Sequence, residues 1–142
     1  MKLENRVAII TGGSAGIGKA IAKKFLQEGA KVIICDIVDE KLNKAEEELS
    51  PVGILRTYHA NIADKEQVSD MIGRVLEEFR KIDILINNAG ITKDAQFYKM
   101  TEEQFDQVIQ VNLKGNFNMT KAVLPNMMEN KYGKIVHLAS VS

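Results

Sequence analysis

Ile9-Ile10-Thr11-Gly12-Gly13-Ser14-Ala15-Gly16-Ile17-Gly18 decides how this chain folds. The apolar run Val7 to Ile10 stops at a turn rich in glycine, and an apolar-periodic segment, Ile17 to Leu26, begins at once. Strand, glycine loop and helix in that order build a phosphate site. The first amides of the helix have no intrahelical partner, and the helix dipole places partial positive charge there. Glycines let the backbone turn sharply and approach an anion that a Cβ would hold away. The stretch therefore predicts a nucleotide-binding α/β protein.

The pattern repeats outward from this stretch. Gly29-Ala30 closes the first helix, and Lys31 to Asp36 reads as a second, buried strand. Asp39 to Leu49 is a charged helix, and Ser50-Pro51-Val52-Gly53 is loop chemistry. Ile54 to His59 alternates more and is expected nearer the sheet edge. Asp64, as N-cap, opens a helix with Val68, Met71, Ile72, Val75, Leu76 and Phe79 at helical spacing. Ile82 to Ile86 is a fourth strand, followed by Asn87-Asn88-Ala89-Gly90. Thr101 and Gln104 fit a capping box at the start of the longest helix. Phe105, Val108, Ile109, Asn112, Leu113 and Phe117 are predicted to share one face of it, with Asn112 an amide inside an apolar stripe. Asn126 to Gly133 reads as helix end and turn, and Lys134 to Ser140 as a fifth strand.

Short apolar runs alternating with helices predict one doubly wound parallel sheet, strand order 3-2-1-4-5, in a single domain over residues 1–142. Composition agrees with one domain: 142 residues, 45% hydrophobic, 27% charged and no formal net charge. Zero net charge gives no general attraction to nucleic acid or an anionic membrane. No apolar run approaches the ~18 residues of a membrane span, and the N-terminus lacks a signal peptide's apolar core. Cys35 is the only cysteine, which excludes an intrachain disulfide and suits a reducing, cytoplasmic setting. His59 and His137 are isolated in sequence from other ligand types, so no metal site is expected. Cys35 is expected to be core packing.

In such sheets ligands bind beyond the carboxyl ends of the strands at the switch point. The glycine loop, Asn87 to Gly90 and Ser140 all fall on that edge. Asp36 ends the second strand, eighteen positions after Gly18. A carboxylate there accepts hydrogen bonds from both hydroxyls of an adenosine ribose and repels a 2′-phosphate. Ile37 follows it, and Ala15 leaves the glycine loop without a basic residue. On charge, the site should prefer NAD, with NADP possible.

Taken together these motifs resemble the short-chain dehydrogenase/reductases over the whole chain. Thr11 to Gly18 resembles their TGxxxGxG and Asn87 to Gly90 their NNAG; Asn112 and Ser140 fall where their active-site asparagine and serine lie. The run Asn88 to Ala95 is most similar to the β-ketoacyl thioester reductases. The resemblance implies a Rossmann fold and an oxidoreductase that reduces a ketone or acyl thioester by hydride transfer. It implies that Gly12, Ser14, Gly16, Ile17 and Gly18 hold the pyrophosphate and the nicotinamide side of the cofactor. Asp36 would hold the adenosine ribose, Asn61 and Ile62 the adenine, and Asn88, Ala89 and Gly90 the nicotinamide ribose. Ser140 would polarise the substrate carbonyl. Where many members have aspartate this chain has Asn61, whose amide oxygen can still accept from the adenine amino group.

The family's proton donor is the tyrosine of a YxxxK motif beyond the serine. Tyr58, Tyr98 and Tyr132 have Ile62, Glu102 and Val136 four positions on. Hydride delivery to a ketone builds charge on oxygen that needs a positioned acid. The expectation is a domain truncated after strand five that binds cofactor with little reductase activity of its own. Strand five would be an apolar edge and the long helix would expose apolar surface, favouring a homo-oligomer. A non-catalytic dinucleotide-binding or oligomerising module is the alternative. A flavodoxin-like regulatory domain would leave Asp36 and the Asn87–Gly90 turn without a task.

Overall fold

The computed structural model describes residues 1–88 and 99–138, and in them five parallel strands form one sheet in the order β3-β2-β1-β4-β5. The elements are β1 (Val7–Thr11), α1 (Gly16–Gln27), β2 (Lys31–Asp36), α2 (Asp39–Leu49), β3 (Leu55–His59), α3 (Lys65–Phe79), β4 (Ile84–Asn87), α4 (Glu102–Ile109), α5 (Gly115–Asn130) and β5 (Lys134–His137). A π-helical turn, Gln110–Lys114, joins α4 to α5.

Side chains of a strand alternate between faces, and β1 and β2 are buried on both. Val7, Ile9 and Ile33 pack with Val68, Met71, Ile72 and Val75 of α3 and with Met119, Val123 and Met127 of α5. Ala8, Ile10, Val32 and Ile34 pack on the opposite face with Ala22 and Leu26 of α1 and Leu42, Ala45 and Leu49 of α2. Each fully buried branched side chain contributes about 1.5–3 kcal/mol relative to exposure. The sheet thus lies between two helical layers.

Local signals placed most boundaries. Asp64 accepts from the Glu66 amide at 3.0 Å and caps α3. Thr101 and Gln104 complete both bonds of a capping box on α4. β3, read as the most alternating strand, lies at the sheet edge with only Leu55 buried.

The segment after Thr101 departs from expectation twice. It is not one α-helix, because the π turn interrupts it. The apolar stripe is the exposed surface expected of this segment: Phe105, Ile109, Leu113 and Phe117 are exposed, the last two by more than half. The buried face of α5 carries Gly115, Asn118, Met119, Val123 and Met127. Asn126, read as the helix end, lies inside α5, where its Oδ1 accepts from the Ile82 amide at 2.9 Å. β5 forms the other edge of the described sheet, with Val136 and the following Leu138 exposed.

Asp83 fastens the opposite end of the sheet. Its carboxylate accepts from the Val7 amide at 2.9 Å and lies 2.9 Å from Lys81 and 3.6 Å from Arg6. Its backbone bonds Val7 on one side and Lys134 on the other, so one residue ties the starts of β1 and β5 to β4.

Candidate functional site

The parallel register brings Thr11, Asp36, His59, Asn87 and His137 to one edge of the sheet. Gly12 turns the chain away from β1 with φ 63°, and Gly16 opens α1 with φ 56°, conformations that favour glycine. Ala15 precedes α1 in extended conformation without a side-chain cap, and the first turn holds no acidic residue. Among the described residues, no side-chain cap and no first-turn acid answers the terminal amides of α1 and the positive end of its dipole. Ile17 stands beside them, 70% exposed.

The ends of β1 and β4 are cross-linked. Thr11 Oγ1 accepts from the Asn88 amide at 3.0 Å, and Asn88 Nδ2 donates to the Gly12 carbonyl at 3.1 Å. A Cβ on Gly18 would lie 2.4 Å from Asn88 Nδ2 and 2.5 Å from the Gly12 carbonyl oxygen. Gly18 is thus the position that lets helix, loop and strand end converge. Asn87, given no role of its own by the sequence, sends Nδ2 to Thr120 Oγ1 at 3.3 Å and to His137 Nδ1 at 3.1 Å. It holds β4 to α5 and β5.

Asp36 is fixed in place. Its Oδ1 accepts from the amides of Ile37 at 2.7 Å and Val38 at 3.3 Å, and its Oδ2 accepts from the buried Ser14 hydroxyl. The resemblance gave Ser14 to the pyrophosphate; here its hydroxyl reaches across to the carboxylate of β2. Asn61 Oδ1 accepts from the Ala63 amide at 3.0 Å in an Asx turn, so one of its lone pairs is already engaged. Ile62 is buried beneath α5: Asn118 Nδ2 donates to its carbonyl at 2.9 Å, and a Cβ on Gly115 would meet its side chain at 2.7 Å.

These residues enclose one cavity of about 410 Å³. Gly12, Asp36, Asn61, Ile62 and Asn88 line it, joined by Lys41, Val111 and others. Five of the residues singled out in the sequence therefore share one space. Cys35 lines it too, as well as packing in the core; burial, and then the neighbouring Asp36 charge, push its thiol up to about 12, so it stays protonated at neutral pH. Asn112 lies half-buried in the π turn, next to the cavity-lining Val111; π turns of this kind recur at functional sites. Ala89, Gly90 and Ser140 lie outside the described residues.

Lys41 amends the charge argument. Adjacent sequence positions put no cation beside Asp36, but only Ile37 and Val38 separate β2 from α2, and the first turn of α2 returns a lysine to the same cavity. His59, read as isolated, has Nδ1 2.7 Å from Asp39 Oδ1.

A model of the family described as short chain dehydrogenase matches residues 6–142. The chain belongs to that family. Among curated short-chain dehydrogenase relatives, it is 44% identical over 142 residues to 3-oxoacyl-(acyl-carrier-protein) reductase FabG of Thermotoga maritima, covering 99% of this chain and 58% of the relative. It is 43% identical to the (2S)-((R)-hydroxy(phenyl)methyl)succinyl-CoA dehydrogenase subunit BbsD of Thauera aromatica, covering 99% and 57%. Among solved structures, NAD+-bound xylitol dehydrogenase superposes with TM-score 0.93 at 32% identity, over 99% of this chain and 55% of that one. A metagenomic short-chain oxidoreductase in complex with NADP superposes at 0.90 with 30% identity, over 100% and 65%. The chain spans a little over half the length of the curated relatives it matches.

Proposed function

We propose that the cavity is the nicotinamide-dinucleotide site of an oxidoreductase acting on a ketone, with a 3-oxoacyl thioester as the favoured substrate class. The observation that carries this reading is a single cavity holding the Asp36 carboxylate at one side and the Gly12–Asn88 cross-link, beside the uncapped α1 terminus, at the other. The substrate class rests on the similarity to the Thermotoga reductase and on the Asn88 to Ala95 run.

The residues present suit such a cofactor. The amides of Gly16, Ile17 and Gly18, at the start of α1, would hold a pyrophosphate. Asp36, already oriented by Ile37, Val38 and Ser14, accepts from the two hydroxyls of an adenosine ribose. By the family resemblance, Asn61 and Ile62 would flank the adenine, and Asn88, Ala89 and Gly90 would hold the nicotinamide ribose. The family resemblance gives Asn112 and Ser140 to the substrate, Ser140 to polarise the carbonyl oxygen. The cofactor, when bound, supplies the hydride; the oxygen still requires a proton donor. Within these 142 residues no tyrosine has a lysine four positions on. The stretch therefore acts as one dinucleotide-binding domain that holds cofactor and turns over little on its own.

A carboxylate at the ribose disfavours a 2′-phosphate. Two like charges at about 4 Å repel by about 4 kcal/mol at an effective dielectric constant of 20. NAD is accordingly the preferred cofactor. Fluorescence titration of NADH and NADPH against the chain tests this, with acetoacetyl-CoA turnover as a second arm. Saturable NADH binding with marginal turnover is expected. Binding of neither nucleotide refutes the cofactor site, and robust turnover refutes the missing acid. Asp36→Ala should move the NADPH-to-NADH affinity ratio at least about tenfold toward NADPH; an unchanged ratio refutes the charge argument.

The exposed stripe of Phe105, Ile109, Leu113 and Phe117 favours self-association in the cytoplasm. Light scattering after size exclusion should give more than one chain per particle, and Phe117→Glu should lower that mass. A monomer insensitive to Phe117→Glu contradicts the assignment.

A further inference from the structure

Asn118 is a buried amide on the face of α5 that otherwise packs Met119, Val123 and Met127 against the sheet. An amide there costs free energy unless it is bonded, and an apolar side chain of the same size would fill the place without that need. Its Nδ2 donates to the Ile62 carbonyl at 2.9 Å, across 56 positions of chain. That carbonyl belongs to the turn at residues 60–64, which follows β3 and forms one wall of the cavity through Ala60, Asn61 and Ile62. Bonds to β2, to α3 and within the turn give it its shape. The Ala60 amide donates to the Asp36 carbonyl at 3.1 Å, the Asn61 amide to Gln67 Oε1 at 2.9 Å, and the Ala63 amide to Asn61 Oδ1 at 3.0 Å. None of these fixes how far the turn stands from α5.

Gly115, the first residue of α5, governs that distance by its size. A Cβ on it would lie 2.7 Å from both Cδ1 and Cγ1 of Ile62. The glycine lets the Ile62 side chain close on the helix, and the Asn118 amide holds the Ile62 carbonyl there. α5 starts directly after the π turn whose Val111 lines the cavity together with Asn61 and Ile62. The spacing between turn and helix is therefore also a width of the cavity.

Resting on the dinucleotide reading above, we propose that Asn118, with Gly115, is a positioning residue for the adenine end of the cavity. Neither residue lines the cavity; both act through Ile62, setting where the Asn61–Ile62 wall stands. The same helix supplies the comparison. Asn126 makes the same kind of bond at the opposite end of the sheet, its Oδ1 accepting from the Ile82 amide at 2.9 Å. A purely structural Asn118 would behave as Asn126 does.

The test compares Asn118→Leu, Gly115→Ala and Asn126→Leu with the unsubstituted chain. Dissociation constants are measured for NADH by nucleotide fluorescence and for 5′-AMP by competition with NADH, beside urea unfolding. Asn118→Leu should weaken both ligands by the same factor, about five- to twentyfold, as the Ile62 carbonyl loses its donor and the wall moves. Equal factors locate the loss at the adenine end, which AMP shares with NADH. Gly115→Ala should weaken both about two- to fivefold. Asn126→Leu should lower the urea midpoint and leave both constants within about twofold. Unchanged binding in Asn118→Leu, a loss for NADH that AMP does not share, or an equal loss in Asn126→Leu overturns the positioning role. If Asn118→Leu does not fold, Gly115→Ala against Asn126→Leu decides by the same outcomes. Failure of the unsubstituted chain to bind NADH overturns the cofactor reading, and the positioning role with it.

Discussion

Gly18→Ala is expected to weaken NADH binding by about ten- to a hundredfold, with a loss of stability of about 1–3 kcal/mol from overpacking. The new Cβ would meet Asn88 Nδ2 at 2.4 Å and the Gly12 carbonyl oxygen at 2.5 Å. Asn88 can swing aside, but only by giving up its bond to Gly12, and the Gly12 carbonyl is backbone fixed by the turn after β1. The methyl therefore pushes the α1 terminus away from the cross-linked strand ends. Gly73→Ala separates this from a general effect of helix glycines. Gly73 lies within α3 with no atom beyond its own stretch of helix within 4 Å of its Cβ position, and its substitution should raise stability by about 0.5–1 kcal/mol and leave NADH affinity unaltered. Equilibrium unfolding and nucleotide titration on both variants decide the matter. Unimpaired NADH binding in Gly18→Ala would mean that the convergence at Gly12, Gly18 and Asn88 does not shape the site.

Asp83→Ala should be the most damaging single change far from the cavity, at about 2–4 kcal/mol of unfolding free energy. The residue is 4% exposed, and its carboxylate is the partner of the Val7 amide. Removing it leaves a buried donor unanswered at the start of the central strand and strips Lys81 and Arg6 of their counter-charge. Those two cations are about one-third exposed, so the amide bond carries more of the cost than the ion pairs do. Asp83→Asn keeps an acceptor oxygen and should recover part of the loss. Urea unfolding reads both values against a typical total of about 5–15 kcal/mol. A cost for Asp83→Ala below about 0.5 kcal/mol would show that the sheet closes without this fastening.

Much of the scaffold was legible because its signals are local. A glycine loop between an apolar run and an amphipathic one, Asp64 and Thr101 as caps, and the strand at Lys31 to Asp36 each depend on a few neighbouring residues. The α4–α5 region was not legible for a specific reason. The face of α5 that packs on the sheet carries Gly115, Asn118 and Asn126, whose amides serve backbone groups at Ile62 and Ile82. The face that carries Phe105, Ile109, Leu113 and Phe117 is exposed. Apolar periodicity therefore marked the exposed surface and not the face that packs on the sheet. The π turn at Gln110–Lys114 has no local signature beyond an asparagine and a following glycine within a helical run.

The candidate site divides along the same line. Asp36 could be named from its spacing to the glycine loop and Gly12, Asn61, Ile62 and Asn88 from the family resemblance, and the fold sets all five around one cavity. Their mutual bonds could not be read. Ser14 turns to Asp36, Asn61 spends one lone pair on Ala63, and Lys41 enters from the next helix, five positions beyond the residue whose charge it opposes.

The most direct measurement is a backbone amide NMR titration of the chain with NADH. Saturable shifts concentrated at Gly12 to Gly18, Ile37, Val38, Asn61 to Ala63 and Asn88 are the predicted result. No saturable shift, or shifts centred at the far end of the sheet around Val7, Asp83 and Lys134, would contradict it.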